Sequence, residues 1–189
     1  EMPGWDGARF DDSSWKPVLV CPKPAAPLVA PPAEPVRKTA EIKPVSVNEP
    51  KPGVFVFDLG RNIAGRARLK VTGAAGTTVV LRFAERLNPD GTIYTANLRA
   101  ARATDVYTLK GGGEEAFEPR FTFHGFQYVE VAGLASKPGP DAVAGLAINS
   151  ASPAAGVFEC SNPMVNTLFG NITWGYRGNS LSIPTDCPQ

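Results

Sequence analysis

The chain has a single histidine, His124, and three cysteines, Cys21, Cys160 and Cys187, in 189 residues. The cysteines lie far apart, with no CxxC or Cys/His ligand spacing, so neither a structural zinc site nor a disulfide framework is expected. Three free thiols mildly favour a reducing compartment. No run approaches the roughly 20 apolar residues that a membrane helix needs. Neither sign of charge is in excess: 19 basic and 18 acidic residues leave a net charge of +1. That balance argues against nucleic-acid and membrane-surface partners, which usually call for a concentrated basic patch. No leader-like segment is visible, and the compartment stays open.

Glycine and proline are abundant, at 19 each, and hydrophobic residues make up 43% of the chain. There is enough apolar material for a core, and the punctuation suits a turn-rich all-β fold better than a helical one. Residues 1–20 place Trp5, Phe10 and Trp15 among Gly, Asp and Ser; they read as the remnant of a β domain, too poor in apolar residues to fold alone. Residues 21–53 concentrate prolines, which fix φ and remove a ladder donor. They read as an extended connector, with short edge strands at most around Val36–Ile42. A proline-rich ligand for an SH3-type partner is the sharper alternative for this stretch.

From residue 54 to 160 the pattern predicts a β-sandwich of jelly-roll or concanavalin-like kind. Val54–Phe57 is a short apolar strand. In the next, Ala67, Leu69 and Val71 alternate with Arg66, Arg68 and Lys70, which is the period of a half-buried strand. Residues 73–76 turn, and 77–86 follow with Val79, Leu81 and Phe83 on one face, so the two are expected to form a hairpin. Further strands are expected over 103–110, 116–134 (broken near His124-Gly125), 142–150 and 156–160. No helical pattern interrupts 54–150, which excludes a βαβ fold.

After Cys160 the period becomes helical. Ser161 or Asn162 can cap, Pro163 suits the first position, and Val165, Leu168, Phe169, Ile172 and Tyr176 form one apolar stripe before Gly175 and Gly178. One amphipathic helix cannot bury such a stripe alone. It is expected to fold back on the sandwich, to disorder or to drive self-association.

Few residues suggest chemistry. His124 reads as a hydrogen-bonded corner between strands, since a lone histidine is seldom a catalyst or a metal site. Asn88 and Asp90 in "NPDG" read as a turn, because a calcium loop needs further oxygen ligands and a closing Glu. Arg66, Arg99 and Arg102 read as charges bridging to a neighbouring domain. Glu85 and Asp105 form a carboxylate pair only on paper. Trp5 and Trp15 could stack on a sugar but read as packing residues.

The stretch "FDLGRNIAGRARLKVTGAAGTTVVLRFAERLNPDGTIYTANLRAARATDVYTLKGGGEEAFEPRFTFHGFQYVEV" (57–131) resembles the concanavalin-like β-sandwich of bacterial α-L-rhamnosidases. "CSNPMVNTLFGNITWGYRGNSLSIPTDCPQ" (160–189) is similar to the segment entering their six-hairpin (α/α)6-barrel catalytic domain, and "GWDGARFDDSSWKPV" (4–18) to the end of their N-terminal β domain. The resemblance implies four pieces: a remnant (1–20), a connector (21–53), the sandwich (54–160) and the start of the barrel (161–189). It implies that Asp186 contacts the sugar, whereas the general acid and the second carboxylate fall beyond Gln189. The expected function is therefore a non-catalytic part of an inverting enzyme that hydrolyses terminal α-L-rhamnosides. Its partners would be a rhamnosyl glycoside, met through the whole enzyme, and a catalytic domain seated on the sandwich. No cofactor and no metal ligand is carried over, although the family's N-terminal β domain can bind rhamnose with calcium. The alternative is a stand-alone carbohydrate-binding module.

Overall fold

The computed structural model describes residues 2 and 4–185. The chain divides into two compact units, 1–30 and 31–189. The first has turns but no helix or strand among its described residues. The Asp11 carboxylate accepts the Ser13 N–H at 3.0 Å. The Phe10 and Trp15 rings tilt together at 5.4 Å, and Trp15 Nε1 donates to Met2 Sδ at 3.4 Å.

The second unit runs β1 (Val36–Ile42), β2 (Ser46–Lys51), β3 (Val54–Thr72), β4 (Thr78–Ala84), β5 (Arg86–Leu87), β6 (Ile93–Tyr94), β7 (Thr104–Thr108), β8 (Glu114–Phe117), β9 (His124–Ala132), β10 (Val143–Ser150), α1 (Pro163–Gly178), β11 (Ser180–Leu181) and β12 (Ile183–Pro184). It is mainly β: a curled antiparallel sheet in the order β1-β10-β3-β9-β4-β7, with β2 and β8 also bound to β3, and one C-terminal helix. Within 21–53, therefore, β1 and β2 are paired strands, β1 on β10 and β2 on β3.

Strand β3 is the spine. Sequence periodicity suggested two strands, 54–57 and 66–72, separated by the polar "DLGRN". They are one strand of 19 residues. Gly60 takes φ +69°, and the register with β9 slips between Asp58 and Ile63. This bulge bends the strand without ending it. Each edge of β3 then serves two partners: β2 followed by β10 on one side, β9 followed by β8 on the other. Sharing one long strand in this way curls the sheet around its core.

The expected hairpin of 66–72 with 77–86 does not form. β4 pairs with β9 and β7, and β9 lies between β3 and β4. Alternation decides which face of a strand is buried but not which edge is occupied. The turn is instead closed by β7's end: Gly76 N–H donates to Leu109 C=O and Leu109 N–H to Thr77 C=O, both at 2.8 Å. The strand expected at 156–160 is also absent, as 151–162 carry no regular structure. Cys160 there is held by Asn166, whose Oδ1 accepts its N–H at 2.9 Å and whose Nδ2 donates to its C=O at 2.7 Å.

The alternating residues that were expected inside are inside. Ala67, Leu69, Val79, Leu81 and Phe83 are wholly buried, joined by Phe57, Phe126, Val129 and Val131. Outside, Arg66 pairs with Glu118 at 3.2 Å, and Arg68 pairs with Glu41. A Cβ on Gly65 would run into the Leu146 carbonyl, so β3 and β10 come together only over glycine.

Glu115 is a buried hub at the β7–β8 turn. Its carboxylate accepts the Tyr107 hydroxyl at 2.7 Å, Gly111 N–H at 2.9 Å and Lys110 N–H at 3.1 Å. These bonds, that of Tyr107 foremost, hold its carboxyl below the usual range. A depressed folded-state value contributes stability above the ordinary glutamate pKa of about 4.3, and this is lost as pH falls through the folded value. Glu115→Gln is therefore expected to lower Tm at neutral pH and to flatten the loss of Tm on acidification below about pH 5. A variant whose Tm–pH curve ran parallel to that of the parent chain would contradict this.

Helix α1 starts where Asn162 Oδ1 accepts Met164 N–H at 2.9 Å, with Pro163 next. It packs on β3 and β10. The face it uses is not the apolar stripe. Asn166, Gly170, Trp174 and Gly178, each four apart, turn inward, and Trp174 joins the core. Leu168, Ile172 and Tyr176 stay 56%, 62% and 63% exposed. No helix among the described residues is long and apolar enough to cross a membrane.

Candidate functional site

The end of α1 leads into the stretch that carries the candidate site residue. Asn179 closes the helix: its N–H donates to Tyr176 C=O at 3.1 Å, and its Nδ2 donates to Gly175 C=O at 2.8 Å. Ser180 is buried, its hydroxyl bonded to Tyr176 C=O at 2.9 Å. Strands β11 and β12 then fold on one another about Ser182 (φ +74°), whose N–H donates to Ser150 Oγ at 2.9 Å. Thr185 N–H returns to Asn179 C=O at 2.8 Å. Asp186, the residue expected to contact the sugar, and Cys187 lie outside the described residues.

Between α1 and the sandwich lies an open cavity of about 630 Å³, lined by Arg61, Asn62, Gln127, Asn171, Trp174 and Asn179 among others. Guanidinium groups sit near the Trp174 ring, Arg61 with Cζ at 4.8 Å and Arg177 at 5.2 Å from its centroid. The sequence reading missed this seam because it followed the large apolar residues. The signal was the run of small or polar residues at 166, 170 and 178 around Trp174.

The other candidates resolve into structure. His124 Nε2 meets Asp105 Oδ1 at 3.1 Å, and its ring stacks on Phe83 at 4.2 Å, at a corner where β9 begins. Glu85 is engaged elsewhere, by Asn62 at 2.7 Å and Asn97 at 3.3 Å, so it makes no pair with Asp105. Asp90 accepts Thr92 N–H at 3.0 Å and Oγ1 at 2.6 Å, and those bonds hold its carboxyl below the ordinary range. Asn88 Nδ2 donates to Thr92 Oγ1 at 3.0 Å, completing a turn. Arg66 is committed within the sandwich, where Nη1 donates to Arg120 C=O at 2.9 Å, rather than projecting toward a neighbour. Arg99 takes φ +55° in its loop. Cys21 and Cys160 are free thiols. Among the described residues, no three His, Cys, Asp or Glu side chains converge on a metal position.

Known proteins share this arrangement along the whole chain. Residues 48–149 match the bacterial α-L-rhamnosidase concanavalin-like domain, and residues 153–189 match the bacterial α-L-rhamnosidase six-hairpin glycosidase domain. An α-L-rhamnosidase of Streptomyces avermitilis is 56% identical over all 189 residues, which span 18% of its length. The crystal structure of the Streptomyces avermitilis enzyme complexed with L-rhamnose superposes with a TM-score of 0.94, over 100% of this chain and 18% of that one. The α-L-rhamnosidase from Dictyoglumus thermophilum gives 42% identity and a TM-score of 0.94 over 100% of this chain and 22% of its own. The sheet, the helix and these matches place the chain in the bacterial α-L-rhamnosidase family, with a concanavalin-like β-sandwich followed by six-hairpin glycosidase sequence. It spans about a fifth of the length of the curated relatives it matches.

Proposed function

We propose that these residues serve an enzyme that hydrolyses terminal α-L-rhamnosides, the sandwich as a non-catalytic scaffold and Asp186 as a sugar-contacting carboxylate. The observation that carries this reading is the full-length superposition on a rhamnosidase complexed with L-rhamnose at 56% identity. Glycoside cleavage needs one carboxylic acid to protonate the leaving oxygen and one carboxylate to activate water, set roughly 6.5–9.5 Å apart when configuration inverts. The buried Glu115 is already held by Tyr107 and two N–H groups, and the part-buried Asp105 by His124. The proton donor and the base would then come from six-hairpin sequence outside these 189 residues. That same sequence is the natural cover for the exposed stripe of α1, since the six-hairpin match begins at residue 153 and takes in the whole helix.

The test is release of the chromophore from an aryl α-L-rhamnoside. The gene product containing these residues is expected to release it, with inversion at the anomeric carbon by NMR. The 189-residue chain alone is expected to release none and to give no heat with L-rhamnose in calorimetry. Turnover by the isolated chain would overturn the scaffold role, and binding heat would favour a carbohydrate-binding module instead.

A further inference from the structure

We infer that the cavity between α1 and the bulge of β3 is a docking site for a carboxylate side chain of the six-hairpin sequence outside these 189 residues, received by Arg61 and Arg177 beside Trp174. This deepens the scaffold role proposed above and rests on it. The site begins at the bulge. The register with β9 slips between Asp58 and Ile63, so Gly60, Arg61 and Asn62 leave the ladder. A bulge re-aims the side chains it carries. Here both flanks are pinned. The Asp58 carboxylate accepts Gly60 N–H at 2.6 Å and Gln127 Nε2 at 2.9 Å. Asn62 Nδ2 donates to Glu85, which Asn97 also holds. Arg61 is carried between them, with its guanidinium Cζ 4.8 Å from the Trp174 ring centroid.

Arg177 approaches the same ring from α1, at 5.2 Å. Among the described residues neither guanidinium has a carboxylate within ion-pair reach, whereas Arg66, Arg68 and Arg82 on the sandwich each pair with a glutamate. The ring attracts both cations but neutralises neither. A guanidinium fork matches a carboxylate with two parallel hydrogen bonds, and that is the chemistry left unused beside a cavity of about 630 Å³. The helix side of this cavity is open space, since a Cβ at Gly170 or Gly175 would meet nothing within 4 Å. The position of the cavity favours a protein occupant. Thr167, Asn171 and Gly175 line it along one row of α1, and the next row around the helix is the exposed Leu168, Ile172 and Tyr176. Successive residues lie about 100° apart around a helix, so what covers that stripe reaches the rim of the cavity. The six-hairpin match takes in the whole helix. A sugar is the poorer fit, because the Trp174 ring already carries guanidinium groups instead of standing free to stack.

Carbodiimide coupling in the gene product containing these residues decides the matter. The reagent activates a carboxylate, and an amine in direct contact displaces it to form an amide. Arg61→Lys and Arg177→Lys keep the charge at exposed positions and supply that amine. After digestion, mass spectrometry is expected to find Lys at 61 or 177 joined to an Asp or Glu outside residues 1–189. Lys43, which lies 3.4 Å from Asp141 on the surface, should couple to it in the same sample and so report that ion pairs are reached. Coupling of Lys43 with no such link from either variant would overturn the inference, as would links from 61 and 177 confined to residues 31–189. So would binding of D-galacturonate to the gene product that Arg61→Gln abolishes, since the cavity would then be open to a sugar acid. A gene product that forms the link but releases no chromophore from an aryl α-L-rhamnoside would sink the proposed function and leave the docking site standing, because coupling reports contact and not catalysis.

Discussion

Phe83→Ala is expected to cost about 3–5 kcal/mol of folding stability in urea denaturation, the range for emptying a packed aromatic site. Phe83 is wholly buried on β4, the strand that joins β9 to β7. It meets Phe126 edge-on, with centroids 4.8 Å apart and planes at 63°. It also stacks on the His124 ring at 4.2 Å, and so covers the His124–Asp105 pair. Truncation would leave a cavity beside two part-buried polar groups, and the lining could not close over it without parting that pair. Val106→Ala is the control: Val106 is 57% exposed on the neighbouring strand β7 and should change stability by less than about 0.5 kcal/mol. A Phe83→Ala loss below about 1.5 kcal/mol would mean that the core around β4 collapses readily into the space left.

The second large effect concerns association. The 189-residue chain should self-associate through α1, whose stripe of Leu168, Phe169, Ile172 and Tyr176 faces outward, and whose Phe169 tilts against Phe158 at 5.4 Å. Contiguous apolar surface of this kind is seldom left bare. The double variant Leu168→Glu/Ile172→Glu is expected to sediment as a monomer at concentrations where the parent chain does not, with stability unchanged to within about 0.5 kcal/mol. Trp174→Ala should behave oppositely. It leaves association intact and removes about 2 kcal/mol, less than a fully buried aromatic because Trp174 is only half-buried. A monomeric parent chain, or a double variant that unfolds, would show that the stripe is not the outward face.

The helix shows where sequence reading stops. Its span and cap were legible, since Asn162-Pro163 has a local chemical meaning that needs no tertiary partner. Its orientation was not. The stripe of large apolar residues left open whether the helix folds back on the sandwich, disorders or drives self-association, and the surface offered by β3 and β10 takes small residues and one tryptophan instead. Gly178 sits close enough to β3 that a Cβ would lie 3.9 Å from Ala64 N. The sheet carries the same lesson. Val79, Leu81 and Phe83 announced their buried face by alternation, but nothing local announced that β9, from some 45 residues downstream, would come between β3 and β4. Of the candidate site, Asp186 was reached only through family resemblance, and Ser150 was invisible because its partner Ser182 is 32 residues away.

The amino-acid order by itself determined the β class, the faces of most strands, the helix and its cap, because each depends on neighbours within a few residues. Tertiary structure alone decided that β3 runs unbroken through its bulge, which strand borders which, and which side of α1 meets the sheet. Those outcomes depend on competition between distant surfaces for one core, and hydrophobic burial, being non-directional, records no partner in the local pattern.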